Sequence, residues 1–139
     1  MATSTAILWP VFIQVFATIG LYIAMSNVRV GAVKAGTVDA KAFKYMDNEP
    51  EELRNYTRAL ANQFESPVLF YTGCIVAYVA GTANIAVLVL AWGYALSKLA
   101  HMYVHATANR LKHRRPTFIA AFGCLTLMWL ALAISLAMK

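Results

Sequence analysis

Two apolar runs, VLFYTGCIVAYVA (Val68–Ala80) and IAVLVLAWGYALS (Ile85–Ser97), decide the fold of this chain: each is apolar enough for a membrane and too short to cross one. Each has 13 residues, which as helix rise roughly 20 Å against a hydrocarbon core of about 30 Å. Both have polar neighbours. Arg58, Asn62, Glu65 and Pro67 precede the first run, and Lys98, His101 and His105 follow the second. Each span is completed only by drawing those charges and imidazoles into or against the bilayer. Polar groups at that depth are costly and mark a functional site by default.

The rest of the composition agrees. Of 139 residues, 60% are hydrophobic and 13% charged, with a mean hydropathy of +0.59; a soluble domain carries about 25% charged residues. The chain reads as an integral membrane protein with a single domain, 1–139. Thr5–Met25 has no charge and one strongly polar residue, Gln14, and Phe118–Met138 has no charge. The expected architecture is all-α, a four-transmembrane-helix bundle with helices near 5–26, 49–80, 85–109 and 117–138. The first segment reads as a retained helix rather than a signal peptide, because no Lys or Arg precedes Arg29.

Between the spans, 28–47 reads as a loop with a short helix near 40–45. The second helix is expected to start before the membrane, capped by Asp47 or Asn48, with Pro50, Glu51 and Glu52 in its first turn and a kink at Pro67. Gly81–Asn84 is a tight turn, and Arg110–Pro116 a basic loop. Of 12 Lys and Arg, six (Arg29, Lys34, Lys41, Lys44, Arg54, Arg58) surround the first connection and five (Lys98, Arg110, Lys112, Arg114, Arg115) the third; Lys139 is the exception. The positive-inside rule then places both long basic loops in the cytoplasm and both termini on the opposite side. The formal net charge of +6 is a topology signal, with anionic membrane lipids as partners of the loops. No folded basic face is present for nucleic acid. The small external turn and the lack of a targeting tail point to a bacterial inner membrane. Cys74 and Cys124 lie mid-span in different helices and read as packing residues.

Arg58, Asn62 and Glu65 fall at i, i+4, i+7, and Lys98, His101 and His105 at i, i+3, i+7, so each set shares a helix face. Helices 2 and 3 form a hairpin, and the simplest arrangement points the two faces at each other or at a neighbouring subunit. Glu65 is then buried, with Arg58 or Lys98 as its counter-charge.

These residues carry a resemblance. Arg58-Ala-Leu-Ala-Asn62-Gln-Phe-Glu65-Ser-Pro67 is similar to the R-A-x-x-N-x-x-E-x-x-P signature of the MAPEG family, the membrane-associated proteins in eicosanoid and glutathione metabolism that include microsomal glutathione transferases; Pro67 stands one residue early. Lys98-Leu-Ala-His101-Met-Tyr-Val-His105, with Arg114 and Phe118 beyond it, resembles the family's R-x-x-H-x-x-x-Y…R…F run. The resemblance implies a homotrimer and a glutathione-dependent transferase or peroxidase acting on lipophilic substrates, with glutathione as co-substrate. Carried over by position, Arg58, Asn62 and Glu65 would hold the peptide, Arg29 would contact a carboxylate, and Arg114 would stabilise the thiolate. Lys98, His101 and His105 would line the pocket, and Tyr94, one turn before Lys98, is a further lining candidate. Two departures stand against the enzyme: Lys98 in place of Arg, without its bidentate fork, and the titratable His105 in place of Tyr. The rival expectation is a non-enzymatic membrane protein on the same scaffold, a lipid-binding or accessory subunit of a membrane complex. A His pair at i, i+4 can bind metal, but no acidic residue completes that motif, so no metal is expected.

Overall fold

The computed structural model describes residues 5–45 and 49–139. Among them the chain is all helix and connection, with no strand. A 3-10 turn, Thr5–Leu8, leads into α1, Trp9–Lys34. The short α2, Ala42–Tyr45, precedes α3, Glu51–Ala61. A second 3-10 turn, Asn62–Phe64, and then α4, Ser66–Val79, follow. The chain ends with α5, Ile85–Ala106, and α6, Leu111–Ala137. Three of these segments are long and apolar enough to cross a membrane, Thr5–Lys34, Ile85–Ala106 and Leu111–Ala137. α4 has 14 residues and rises only about 21 Å, the shortfall its sequence announces.

The first helix runs further than its apolar stretch, to Lys34 rather than residue 26. Its extra turns are held from the side: Arg29 forms an ion pair with Glu49 just before α3, at 3.0 Å. Hydropathy counts lipid-facing residues and is blind to a helical extension secured by polar contacts beyond the lipid.

The second expected helix, 49–80, is broken. α3 ends at Ala61, and Glu65 takes φ −96°, ψ −104°, outside the helical region. Pro67 is the cause. It has no N–H for the Gln63 carbonyl, and its ring crowds that carbonyl. The result is a full break two residues upstream rather than a kink at Pro67, which sits within the first turn of α4. The expected caps Asp47 and Asn48 lie outside the described residues. Across the break, Gln14 of α1 donates to Gln63 at 2.8 Å, and Gln63 donates to the Ala59 carbonyl at 3.0 Å; both glutamines are buried.

The turn between α4 and α5 is tight, as the sequence suggests. Gly81 takes a left-handed φ of +64°, which glycine adopts without steric cost. Asn84 caps α5 by accepting from the Val87 N–H at 3.0 Å. α5 stops at Ala106, three residues before the expected end, and α6 starts at Leu111, six residues before its expected start. The basic loop 110–116 is therefore the first turns of α6, with Pro116 inside the helix. A proline so near the N-terminus gives up one backbone bond and leaves the helix otherwise intact.

The larger of two apolar clusters buries Phe70, Cys74 and Ala77 of α4, Val87, Ala91 and Tyr94 of α5, and Leu125, Met128 and Leu132 of α6; the smaller gathers Leu21, Ala59, Leu60 and Ala106. The pairing of α5 with α6 is the most extensive in the molecule. Gly93 permits it, for a Cβ there would stand 2.9 Å from Cys124 Sγ; Gly73 plays the same part between α4 and α6, where a Cβ would stand 2.6 Å from Met128 Cε. Close approach at small residues is the usual way helices pack where lipid surrounds them. The large apolar side chains left exposed, among them Phe16, Ile23, Ile119 and Leu130, suit a molecule whose solvent is hydrocarbon.

Candidate functional site

Lys98, His101 and His105 share one face of α5, and all three are buried, with Lys98 only 1% exposed. Counting the helical rise from Ile85 puts Lys98 at roughly 20 Å and His105 at roughly 30 Å along the span. This face therefore runs from inside the hydrocarbon to its boundary.

The buried ammonium of Lys98 meets the break in the second helix. It donates to Asn62 Oδ1 at 2.6 Å, to the Asn62 carbonyl at 3.2 Å and to Ser66 Oγ at 3.3 Å. An ammonium has donors only, so Asn62 must turn its oxygen toward Lys98 and its NH₂ away. That NH₂ donates to Glu65 Oε2 at 2.7 Å. Lys98 thus binds the Asn62 carbonyl beside the break and, through the Asn62 side chain, aims the carboxylate of Glu65. Ser66 Oγ also lies 3.0 Å from the Tyr94 hydroxyl. Tyr94 is fully buried and stacked on Phe70 at 4.4 Å, so it is a core residue rather than a lining one.

The expected burial of Glu65 against a cation is not found in the single chain. Glu65 is exposed, and among the described residues the only ion pair is Arg29–Glu49. The physical reason is the break: with its backbone out of the helix, Glu65 leaves the face that Asn62 shares with α5. Arg58 is likewise exposed.

Further along α5, the imidazoles meet the start of α6. A cavity of about 480 Å³ is lined by Asn62, His101, His105, Leu111, Arg114, Arg115 and Phe118. Arg114 is fixed at both ends. Its carbonyl accepts from His101 Nδ1 at 3.1 Å and from Thr117 Oγ1 at 2.8 Å, and its Nη1 donates to Asn109 Oδ1 at 2.6 Å. Since a carbonyl only accepts, Nδ1 is the protonated nitrogen of His101. The His101 ring packs edge-on to His105 at 5.5 Å and against Phe118 at 5.6 Å. Nδ1 of His105 is buried with no partner among the described residues. Two guanidiniums, two imidazoles and one amide around one hollow make a site for an anionic group, and Phe118 and Leu111 give it an apolar wall.

A second cavity of about 360 Å³, between α1, α3 and α5, is lined by Leu21, Tyr56, Met102 and Ala106 among others and has no cationic or carboxylate side chain. Only the first can bind charge.

The structure therefore brings together Asn62, Lys98, His101, His105 and Arg114 of the expected site. It does not bring Arg29. That guanidinium bonds Glu49 and donates to Thr57 Oγ1 at 2.7 Å, and it lies over the Phe43 ring at 5.2 Å. Four participants escaped the sequence reading. Arg115 is hidden in a run of basic residues that reads as lipid-facing. Asn109 is legible only as the one asparagine between α5 and α6. Ser66 sits inside the Glu-Ser-Pro motif, and Gln63 becomes visible once paired with Gln14. Among the described residues no group of three or more His, Cys, Asp and Glu gathers to hold a metal ion.

Comparison with curated proteins and with solved structures gives no match. The model of the MAPEG family, by contrast, matches residues 7–134, nearly the whole chain, and together with the motifs at 58–67 and 98–118 this establishes that the protein belongs to the MAPEG family.

Proposed function

We propose that this membrane protein is a glutathione-dependent transferase or peroxidase acting on lipophilic substrates, working as a homotrimer of four-span subunits with its basic connecting segments on the cytoplasmic side of a bacterial inner membrane. The observation that carries the reading is Arg114. It stands at the cavity with one N–H held by Asn109, and its Nε–Nη2 edge has no partner among the described residues. A free guanidinium edge beside a hollow is suited to an anion. A thiol with a pKa of about 8.5 is a weak nucleophile near neutrality, and a neighbouring cation raises its thiolate fraction.

The remaining groups match the other charges of glutathione, which carries two carboxylates and one ammonium. Arg115 and Arg58 suit the carboxylates, and Glu65, aimed by Asn62, suits the ammonium. Arg58 and Glu65 are exposed on the single chain, so in a trimer they face a neighbouring subunit and the peptide between. The apolar wall of Phe118 and Leu111 faces the side from which an oily substrate arrives. The fourth span is α4, completed by the 3-10 turn and α3.

The test is ligand-induced stabilisation. Glutathione at millimolar concentration should raise the Tm of detergent-purified protein by mass action. Glu65→Gln or Arg114→Ala should abolish that rise while leaving the Tm without ligand near the wild-type value. The absence of any shift in the wild-type protein would overturn the reading in favour of a lipid-binding or accessory subunit.

A further inference from the structure

Asn109 is the only residue other than glycine with a left-handed backbone among those described, at φ +49°. It sits in the turn between α5 and α6, where its N–H closes onto the Val104 carbonyl at 2.8 Å. Glycine would fill that position with less strain, because a Cβ is unfavourable at positive φ. Asparagine is among the few other residues that visit this conformation, so the turn admits it without requiring it.

The side chain supplies the reason. Its oxygen accepts from Arg114 Nη1 at 2.6 Å, and its NH₂ donates to Asn55 Oδ1 of α3 at 2.8 Å. One amide thus joins α3, the turn and α6, and both of its ends are used. The guanidinium of Arg114 has five N–H donors, and Asn109 takes one from Nη1. A guanidinium held by that nitrogen cannot swing about its long aliphatic stem, and its Nε–Nη2 edge stays turned away from Asn109. Asn55 in turn keeps the amide from flipping: its oxygen accepts only from the NH₂ end of Asn109, which leaves the oxygen end for Arg114.

We propose that Asn109 is a positioning residue: it holds the Arg114 guanidinium so that the free edge faces the cavity, and Asn55 fixes the sense of its amide. The proposal rests on the functional reading above only for the identity of the anion. A charge-assisted hydrogen bond is worth enough that losing it weakens anion binding by roughly tenfold.

The experiment compares Asn109→Gly and Asn55→Ala with the wild-type protein in lipid nanodiscs, by two measurements. The first is the Kd for glutathione. The second is the ¹⁵N spectrum of the arginine side chains, in which Arg114 is identified by its absence in Arg114→Lys. Glycine is at ease at φ +49°, so Asn109→Gly should fold with a Tm close to wild type. It should raise the glutathione Kd about tenfold, and its Arg114 Nη signals should collapse through free rotation. Asn55→Ala should keep those signals separate and change Kd by less than about threefold. If Asn109→Gly leaves both Kd and the guanidinium signals as in wild type, or shifts Kd no more than Asn55→Ala does, the positioning role is refuted. If the wild-type protein binds no glutathione, the functional reading fails, and the spectra of wild type and Asn109→Gly still decide the placement.

Discussion

Replacing Arg29 by alanine should destabilise this protein severely and leave the affinity of its cavity unchanged. The carboxylate of Glu49 is 2% exposed. Arg29 bonds its Oε1 through Nε and Nη2 at 3.2 and 3.0 Å, and Thr57 donates to Oε2 at 2.9 Å. Arg54 binds the Glu49 backbone carbonyl at 2.8 Å and so does nothing for the carboxylate. Without Arg29 the buried anion keeps one hydroxyl and no cation. Removing one partner of a buried pair costs about 3–5 kcal/mol. At 139 residues each kcal/mol moves Tm by about 3 °C, so the expected fall is on the order of 10 °C. Thermal unfolding in detergent, followed by tryptophan fluorescence, measures it. Glu49→Gln in the same background should restore most of the loss, because a neutral amide beside Thr57 is no longer a stranded charge. The reasoning is refuted if Arg29→Ala leaves Tm within about 2 °C of wild type and instead weakens glutathione binding, for then the guanidinium belongs to the ligand and not to Glu49.

Two further substitutions test the break and the packing. Lys98→Met should change Tm less than Arg29→Ala does, because the lost hydrogen bonds are offset by relief from holding an ammonium away from water; the freed Asn62 amide should nevertheless raise the glutathione Kd roughly tenfold, read by titration calorimetry. Gly93→Ala should cost about 1–3 kcal/mol by forcing a methyl against Cys124, seen as a lower Tm, and Cys124→Ala in the same chain should recover most of it.

The membrane character and the helical class are legible in the sequence because hydropathy and helical rise are local quantities. The facing of Lys98 onto Asn62 is legible too, since i, i+3 and i+4 spacing puts residues on one face before any contact is known. The break at Glu65 is only half legible. Pro67 announces a disturbance, but its position depends on which carbonyl finds another donor, and Lys98 is 36 residues away from the one it binds. The start of α6 is missed because a proline and a cluster of cations read as a loop, although a helix tolerates both in its first turns. Arg29 is only half legible for a related reason: a cation after a span is equally suited to a ligand, a lipid headgroup or a buried acid, and only the fold reveals Glu49 beside it.

The amide pair of Gln14 and Gln63 has a consequence in time. A chain is made from its N-terminus, so Gln14 reaches the bilayer before Gln63 does. An unpaired amide in hydrocarbon costs several kcal/mol, and for that interval the first span has nowhere to place it. Insertion is therefore ordered: the leading helix settles fully only when Gln63 arrives to receive its NH₂, and a nascent chain halted before that point would be held in the bilayer less firmly than its hydropathy suggests.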